Sequence, residues 1–331
     1  MIKMALFGCG RIGRLHAQNI SQNQGAELVQ VYDVHQLSAD QLATRHNCEV
    51  ALSVEVILAN SDIDAVLIGT STDTHADLIE ESAKAGKAIF CEKPIDLSLD
   101  HVKQCAATIA PYNVPVQIGF NRRFDPSHKS AKNAVVTGQI GDLQQVILTS
   151  RDPEMPPQSY MKTSGGMFCD MTIHDFDLAR FLLGEEPTEI FAYASALVNP
   201  KACAAVGDID SAMIQMKTAS GKLCHINNSR QAVYGYDQRV ELFGSTGMLI
   251  SDNQRPHDLK SFNATQTGKS EPYQSFFLER YAEAFVAELN AFIDCVSNNK
   301  PTEVGFEDGV KALALAEAAY QSLETRKSVH L

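Results

Sequence analysis

Five short runs within the first 120 residues, 4–7, 28–32, 65–68, 88–90 and 116–118, are apolar almost throughout, and segments of helical spacing such as 13–21, 73–85 and 99–109 lie between them. A strand with no polar alternation has no face to give to water, so it must be covered on both sides. Intervening helices supply that cover, and they also supply the crossovers that parallel pairing needs. The pattern predicts an α/β fold: a Rossmann-type doubly wound parallel sheet in residues 1–120.

The rhythm changes after residue 120. Strand-like stretches at 143–151, 188–198, 208–217, 222–229, 238–244 and 247–251 follow one another closely, with turn signals at Ser220-Gly221 and Ser245-Thr246-Gly247. Helical patterns occupy 125–137, 171–183, 276–298 and 306–326. Residues 121–331 are therefore expected to form a second, α+β domain for substrate binding and oligomerisation, built on a largely antiparallel open sheet. Its C-terminal helix is able to pack back near the first domain. The polar segment 252–275 has the least defined pattern and reads as a mobile or oligomer-contacting excursion.

Composition narrows the partners. A formal net charge of -12 gives no footprint for nucleic acid or an anionic membrane. Small molecules are the better match. No apolar run approaches the roughly 18 residues of a membrane span, and residues 4–7 are too short for the core of a signal peptide, so a cytoplasmic location is expected. Eight cysteines without a Cys-x-x-Cys pair point to reduced thiols. Cys169 lies five residues before His174, but no further ligands accompany them, and no metal is expected.

The sequence Gly8-Cys9-Gly10-Arg11-Ile12-Gly13 directly follows the first strand and opens the first helix. In that setting Gly8 allows a tight turn, Gly10 lets the backbone approach a pyrophosphate, and Gly13 lets helix pack on strand. Asp33 follows Gly13 by 20 residues, at the end of the second strand, where a carboxylate can accept hydrogen bonds from ribose hydroxyls. The same charge repels a 2′-phosphate, and Val34-His35-Gln36 offers no arginine to bind one. NAD is thus the expected cofactor, in preference to NADP. The loop Gly69-Thr70-Ser71-Thr72-Asp73-Thr74-His75, after the next long strand, adds Thr70, Ser71 and His75 as candidate cofactor contacts.

Two further clusters bear ionisable groups. Glu92-Lys93-Pro94 ends an apolar strand with a lysine, whose desolvation would draw its proton affinity toward neutral pH and make it an acid/base candidate; the alternative is a lysine that snorkels into water. Asp170, His174 and Asp177 recur at four and three residues, which places them on one helical face. An aspartate so placed can orient an imidazole.

These motifs, with Gly119-Phe120-Asn121-Arg122-Arg123-Phe124-Asp125-Pro126, resemble the glucose-fructose oxidoreductase and inositol dehydrogenase family over nearly the whole chain. Arg151-Asp152-Pro153, Thr172-Ile173-His174-Asp175-Phe176-Asp177 and Tyr234-Gly235-Tyr236-Asp237-Gln238-Arg239 look like its bacterial myo-inositol 2-dehydrogenase branch. The resemblance implies a catalytic set of Lys93, Asp170 and His174, with Arg11, Ile12 and Glu92 on the cofactor side. It also implies a cis Lys93-Pro94 bond and a homotetramer assembled through the second sheet. His174 would accept the hydroxyl proton while Lys93 binds the same oxygen, although either could take the proton first. A ring of substrate hydroxyls calls for forked donors and acceptors, for which Arg122, Arg151, Asp152, Asp177, Tyr234 and Tyr236 are candidates beside the catalytic three. Oxidation of myo-inositol to its 2-keto product by hydride transfer is the expected reaction. Scyllo-inositol or a pyranose as substrate, and a non-catalytic NAD-sensing role, are the alternatives.

Overall fold

Double burial shapes the first unit. In the computed structural model, which describes residues 1–331, six parallel strands form one sheet: Ile2–Phe7 (β1), Ala26–Tyr32 (β2), Glu49–Val50 (β3), Ala65–Ile68 (β4), Ala88–Cys91 (β5) and Val116–Ile118 (β6). Their order is β3-β2-β1-β4-β5-β6. All of β4 and β5 is buried, as the apolar runs demand. Helices Arg11–Gln22, Gln36–His46, Val54–Ala59, His75–Lys84 and Leu99–Ile109 lie between the strands in sequence. Three elements are not announced by apolar periodicity: β3 has two residues, Val54–Ala59 has six, and Gln36–His46 buries only Ala39, Leu42 and Ala43. The sheet order reverses between β1 and β4, and in such sheets ligands bind beyond the carboxyl ends of the strands at that point.

This unit comprises Met1–Phe124 together with Glu283–Leu313. The helix Ala282–Asn298 explains the addition, because Leu289, Phe292 and Ile293 enter the same core as Met4, Leu6, Val31, Leu67 and Phe90. The rings of Phe90 and Phe292 stack with centroids 5.7 Å apart. Burial of each such side chain contributes about 1.5–3 kcal/mol.

The second unit is Asp125–Ala282 with Ala314–Leu331. Its large sheet is built from Leu143–Arg151 (β7), Pro187–Ser195 (β8), Ser211–Thr218 (β9), Leu223–Ser229 (β10), Asp237–Gly244 (β11) and Met248–Ser251 (β12). Within the polar segment 252–275, Lys260–Ser261 (β13) and Lys269–Ser270 (β14) pair as a hairpin, so part of that stretch is ordered ladder. Val329–His330 (β15) adds to the large sheet beside β8, giving the order β12-β11-β7-β10-β9-β8-β15. Every pair is antiparallel except β7 with β10. One face packs inward while the other carries Tyr193, Met213, Phe243 and Ile250, all exposed. Tyr193 and Met213 are direct cross-strand neighbours.

Two helices depart from the expected spans. The stretch 171–183 begins earlier, as a π turn at Phe168–Thr172 that runs into the helix Ile173–Leu183. The stretch 276–298 is interrupted at Tyr281, giving Phe277–Arg280 and then Ala282–Asn298. At that break Tyr281 is buried, with its hydroxyl donating to Gln238 Oε1 at 3.1 Å, and Arg280 reaches Asp125.

Asp125 has two tasks. It caps the helix Pro126–Val136 by accepting from the Ser127 and His128 amides, and it pairs with Arg280 Nη1 at 2.5 Å, both side chains fully buried. Burial alone would push the Asp125 carboxyl up, but His128, Arg280 and the His128 amide hold it below the ordinary carboxylate range. Its contribution to stability is therefore complete above the unfolded value of about 3.9 and is lost as pH falls through the lower folded value. Asp125→Ala is expected to cost about 3–5 kcal/mol in urea denaturation, because Arg280 is left buried and uncompensated. Asp125→Asn should also remove this group's share of the acid limb from a pH–stability curve.

Candidate functional site

The glycine loop of the first unit is built by contacts that admit no side chain. Gly8 has φ +94° and a Cβ there would lie 2.5 Å from Gly69 O, while one on Gly13 would lie 2.0 Å from Gly8 O. Gly10 differs: nothing lies within 4 Å of where its Cβ would be. It is the N-cap of the helix Arg11–Gln22 and makes no side-chain cap, so open space meets the positive end of a helix. NAD fits this cradle, since its pyrophosphate needs close backbone approach and amide donors. Ile12 lines the same turn, 3.4 Å from the position of a Cβ on Gly69, and Arg11 is exposed at the first helical position.

Asp33 stands at the carboxyl end of β2. Its Oδ2 accepts from the Cys9 amide at 2.6 Å and its Oδ1 from the His35 amide at 2.7 Å. The carboxylate thus ties down the glycine loop, and each oxygen keeps a lone pair with which to accept a ribose hydroxyl.

Glu92 and Lys93 follow β5 at the same edge of the sheet, and the Lys93-Pro94 bond is cis, as the resemblance implied. Glu92 Oε1 lies 2.7 Å from Nε2 of His16, a fully buried histidine on the helix Arg11–Gln22. The His16 ring stands edge-on to Phe90 and Phe285. Sequence reading passes over His16, although a histidine among Gly13, Ala17 and Ile20 on a buried helical face is a signal that it serves a polar partner.

The loop after β4 divides its labour. Thr70 and Thr74 share a hydroxyl contact at 2.7 Å, and Ser71 precedes the short turn Thr72–Thr74. His75 was expected to face the cofactor, but it is buried with Nδ1 2.8 Å from Pro94 O and Nε2 3.2 Å from Thr70 O. Burial lowers its pKa, and a neutral ring can donate to only one of these two carbonyls. Arg122, in the turn Asn121–Phe124 after β6, is also buried.

In the second unit a π turn precedes the helix that carries His174 and Asp177. Asp170 sits within that turn, and His174 and Asp177 lie in the α-helix beyond. Such turns occur frequently at functional sites. Asp170 Oδ1 accepts from Tyr160 at 2.8 Å, and Oδ2 from Arg230 at 3.2 Å. Asp177 is buried and accepts from Arg180, which also binds Glu186. Arg151 binds Asn227 Oδ1 through Nε and Nη2 and donates to Tyr234 through Nη1 at 2.9 Å; Tyr234 in turn donates to Asp237 at 2.7 Å. The Asp152 amide is tied to Ser229 O. Tyr236 is buried against Phe276 and Tyr281, whereas Tyr234 stays half exposed.

Residues 2–120 match an oxidoreductase family described as an NAD-binding Rossmann fold, and residues 132–331 match its C-terminal alpha/beta domain. The inositol 2-dehydrogenase of Rhizobium meliloti (strain 1021) is 46% identical over 331 residues, covering 100% of this chain and 99% of that protein. The crystal structure of a myo-inositol dehydrogenase from Corynebacterium glutamicum ATCC 13032 is similar with TM-score 0.97 and 41% identity, covering 100% of this chain and 99% of that one. Scyllo-inositol dehydrogenase from Lactobacillus casei, crystallised with bound NAD(H) and scyllo-inositol, gives TM-score 0.91 at 30% identity, covering 100% and 99%.

Loss of the Asp33 carboxylate should weaken NAD binding about 10- to 100-fold, the worth of hydrogen bonds to a charged group. Calorimetric titration of Asp33→Ala with NAD and NADP is expected to show the gap between the two cofactors narrowing. An unchanged preference would refute the assignment of Asp33 to the ribose.

Proposed function

We propose that this chain, which belongs to the glucose-fructose oxidoreductase and inositol dehydrogenase family, oxidises myo-inositol to its 2-keto product. The observation that carries the reading lies in the first unit: Lys93 follows β5 at the carboxyl edge of the sheet whose switch point bears the glycine cradle and Asp33. A lysine at that address lies where ligands of such sheets bind. The full-length likeness to an inositol 2-dehydrogenase names the substrate class.

NAD, when bound, supplies the hydride acceptor. The protein must then take the hydroxyl proton that leaves as the alcohol carbon becomes a carbonyl. His174 accepts that proton, Asp170 supports the imidazolium by its negative charge, and Lys93 holds the reacting oxygen. Arg122, Arg151, Asp152, Asp177, Tyr234 and Tyr236 provide donors and acceptors for the remaining hydroxyls. A rigid set of polar groups rejects an epimer whose hydroxyl leaves one of them unpaired. The exposed face bearing Tyr193, Met213, Phe243 and Ile250 supports assembly into a homotetramer through the second sheet.

A panel of myo-inositol, scyllo-inositol and pyranoses, followed by NADH absorbance, should give the highest kcat/KM with myo-inositol; no turnover of any inositol would dismiss the substrate class. Lys93→Ala is expected to lower kcat by about 10²- to 10⁴-fold with NAD affinity retained by calorimetry. Full activity in that variant would remove Lys93 from the chemistry.

A further inference from the structure

The geometry points to Arg230 and Tyr160 as positioning residues that hold the Asp170 carboxylate in place for the reaction. The inference rests on the catalytic reading of Asp170 given above. Arg230 is 1% exposed, and the one hydrogen bond its guanidinium makes goes to Asp170 Oδ2. Its Nη2 lies 3.6 Å from Asp208 Oδ2, so a single buried cation stands between two carboxylates. A guanidinium is costly to bury and is retained where its charge is used.

The scaffold behind it is equally specific. Asp208 Oδ1 accepts from the Met167 amide at 3.0 Å, and the Tyr320 hydroxyl accepts from the Phe168 amide while donating to Gly165 O, each at 3.2 Å. These bonds secure the start of the π turn that carries Asp170. Gly166 completes the fit, with φ +78° and no room for a Cβ, which would lie 2.4 Å from the Tyr320 hydroxyl. At the other end of the cation, the Arg230 amide is held by Asp210 O at 2.8 Å, immediately beyond β10.

Asp170 therefore has one oxygen fixed by Tyr160 and the other by Arg230. Two donors on two oxygens stop the carboxylate from rotating. A carboxylate that turned freely would spend much of its time misdirected, and misplacement on the 1 Å scale can cost about 10²-fold in rate.

The test compares Tyr160→Phe, Arg230→Lys, Arg230→Met and Asp170→Asn in the full-length protein, with NAD and the inositol that the wild type turns over fastest. Rates are expressed per NAD-binding site counted by calorimetry, so misfolded protein drops out. Tyr160→Phe is expected to lower kcat about tenfold and Arg230→Met about 10²-fold, with both KM values within about twofold of wild type and Arg230→Lys recovering part of the loss. If Arg230→Met does not fold, Tyr160→Phe decides, since it removes one hydroxyl and no charge. An inactive Asp170→Asn beside wild-type kcat in both Tyr160→Phe and Arg230→Lys would overturn the positioning role alone. Full activity in Asp170→Asn would overturn the catalytic reading of Asp170 and this proposal with it.

Discussion

The first unit depends on a steric condition at three glycines. Gly8 abuts Gly69 and Gly13 abuts Gly8, at separations where a methyl group on either Gly8 or Gly13 would overlap backbone atoms. This close approach lets β1 pass into the helix Arg11–Gln22 right beside the end of β4, where the strand order reverses. Everything that follows along the carboxyl edge takes its position from there: Asp33 bonds the Cys9 amide within the loop, and His16 reaches Glu92 from the helix that the loop begins. Cofactor chemistry and packing are one arrangement here, since the absence of side chains creates both the cradle and the helix–strand contact.

In the second unit the corresponding constraint is charge. Buried ionic groups recur there, Asp125 with Arg280, Asp177 with Arg180, and Arg230 with Asp170 and Asp208. Such pairs add little net stability over well-packed apolar residues, but they tolerate few alternative arrangements. Asp210 works similarly on the backbone. Burial would raise its carboxyl, yet the amides of Leu197, Val198 and Asn199 converge on it and lower it. The turn before the helix Pro200–Val206 and the strand end that carries Arg230 are thereby joined through one residue.

What the sequence makes legible follows from this difference. The strands β1, β2, β4, β5 and β6 can be read because apolar runs must be buried, and the glycine loop because its spacing is a steric necessity. Lys93 stands out because a lysine ends such a run. The π turn is hidden, since one extra residue per turn leaves the apolar pattern of 168–183 almost unchanged. His75 looks like a ligand contact because it is a loop histidine beside a switch point, whereas its ring lies buried between the carbonyls of Pro94 and Thr70. Arg230 gives no sign at all: in Asn227-Asn228-Ser229-Arg230-Gln231 it looks like a surface residue at a strand end, and only the tertiary fold buries it.

The cation shared by Asp170 and Asp208 also constrains how such a chain can diverge. Replacing Asp170 with an apolar residue would leave a buried guanidinium with no hydrogen-bonded partner, so that change carries a cost in folding. A chain that lost this carboxylate would be relieved of that cost by changing Arg230 as well. Asp170 and Arg230 are therefore expected to be kept or lost together.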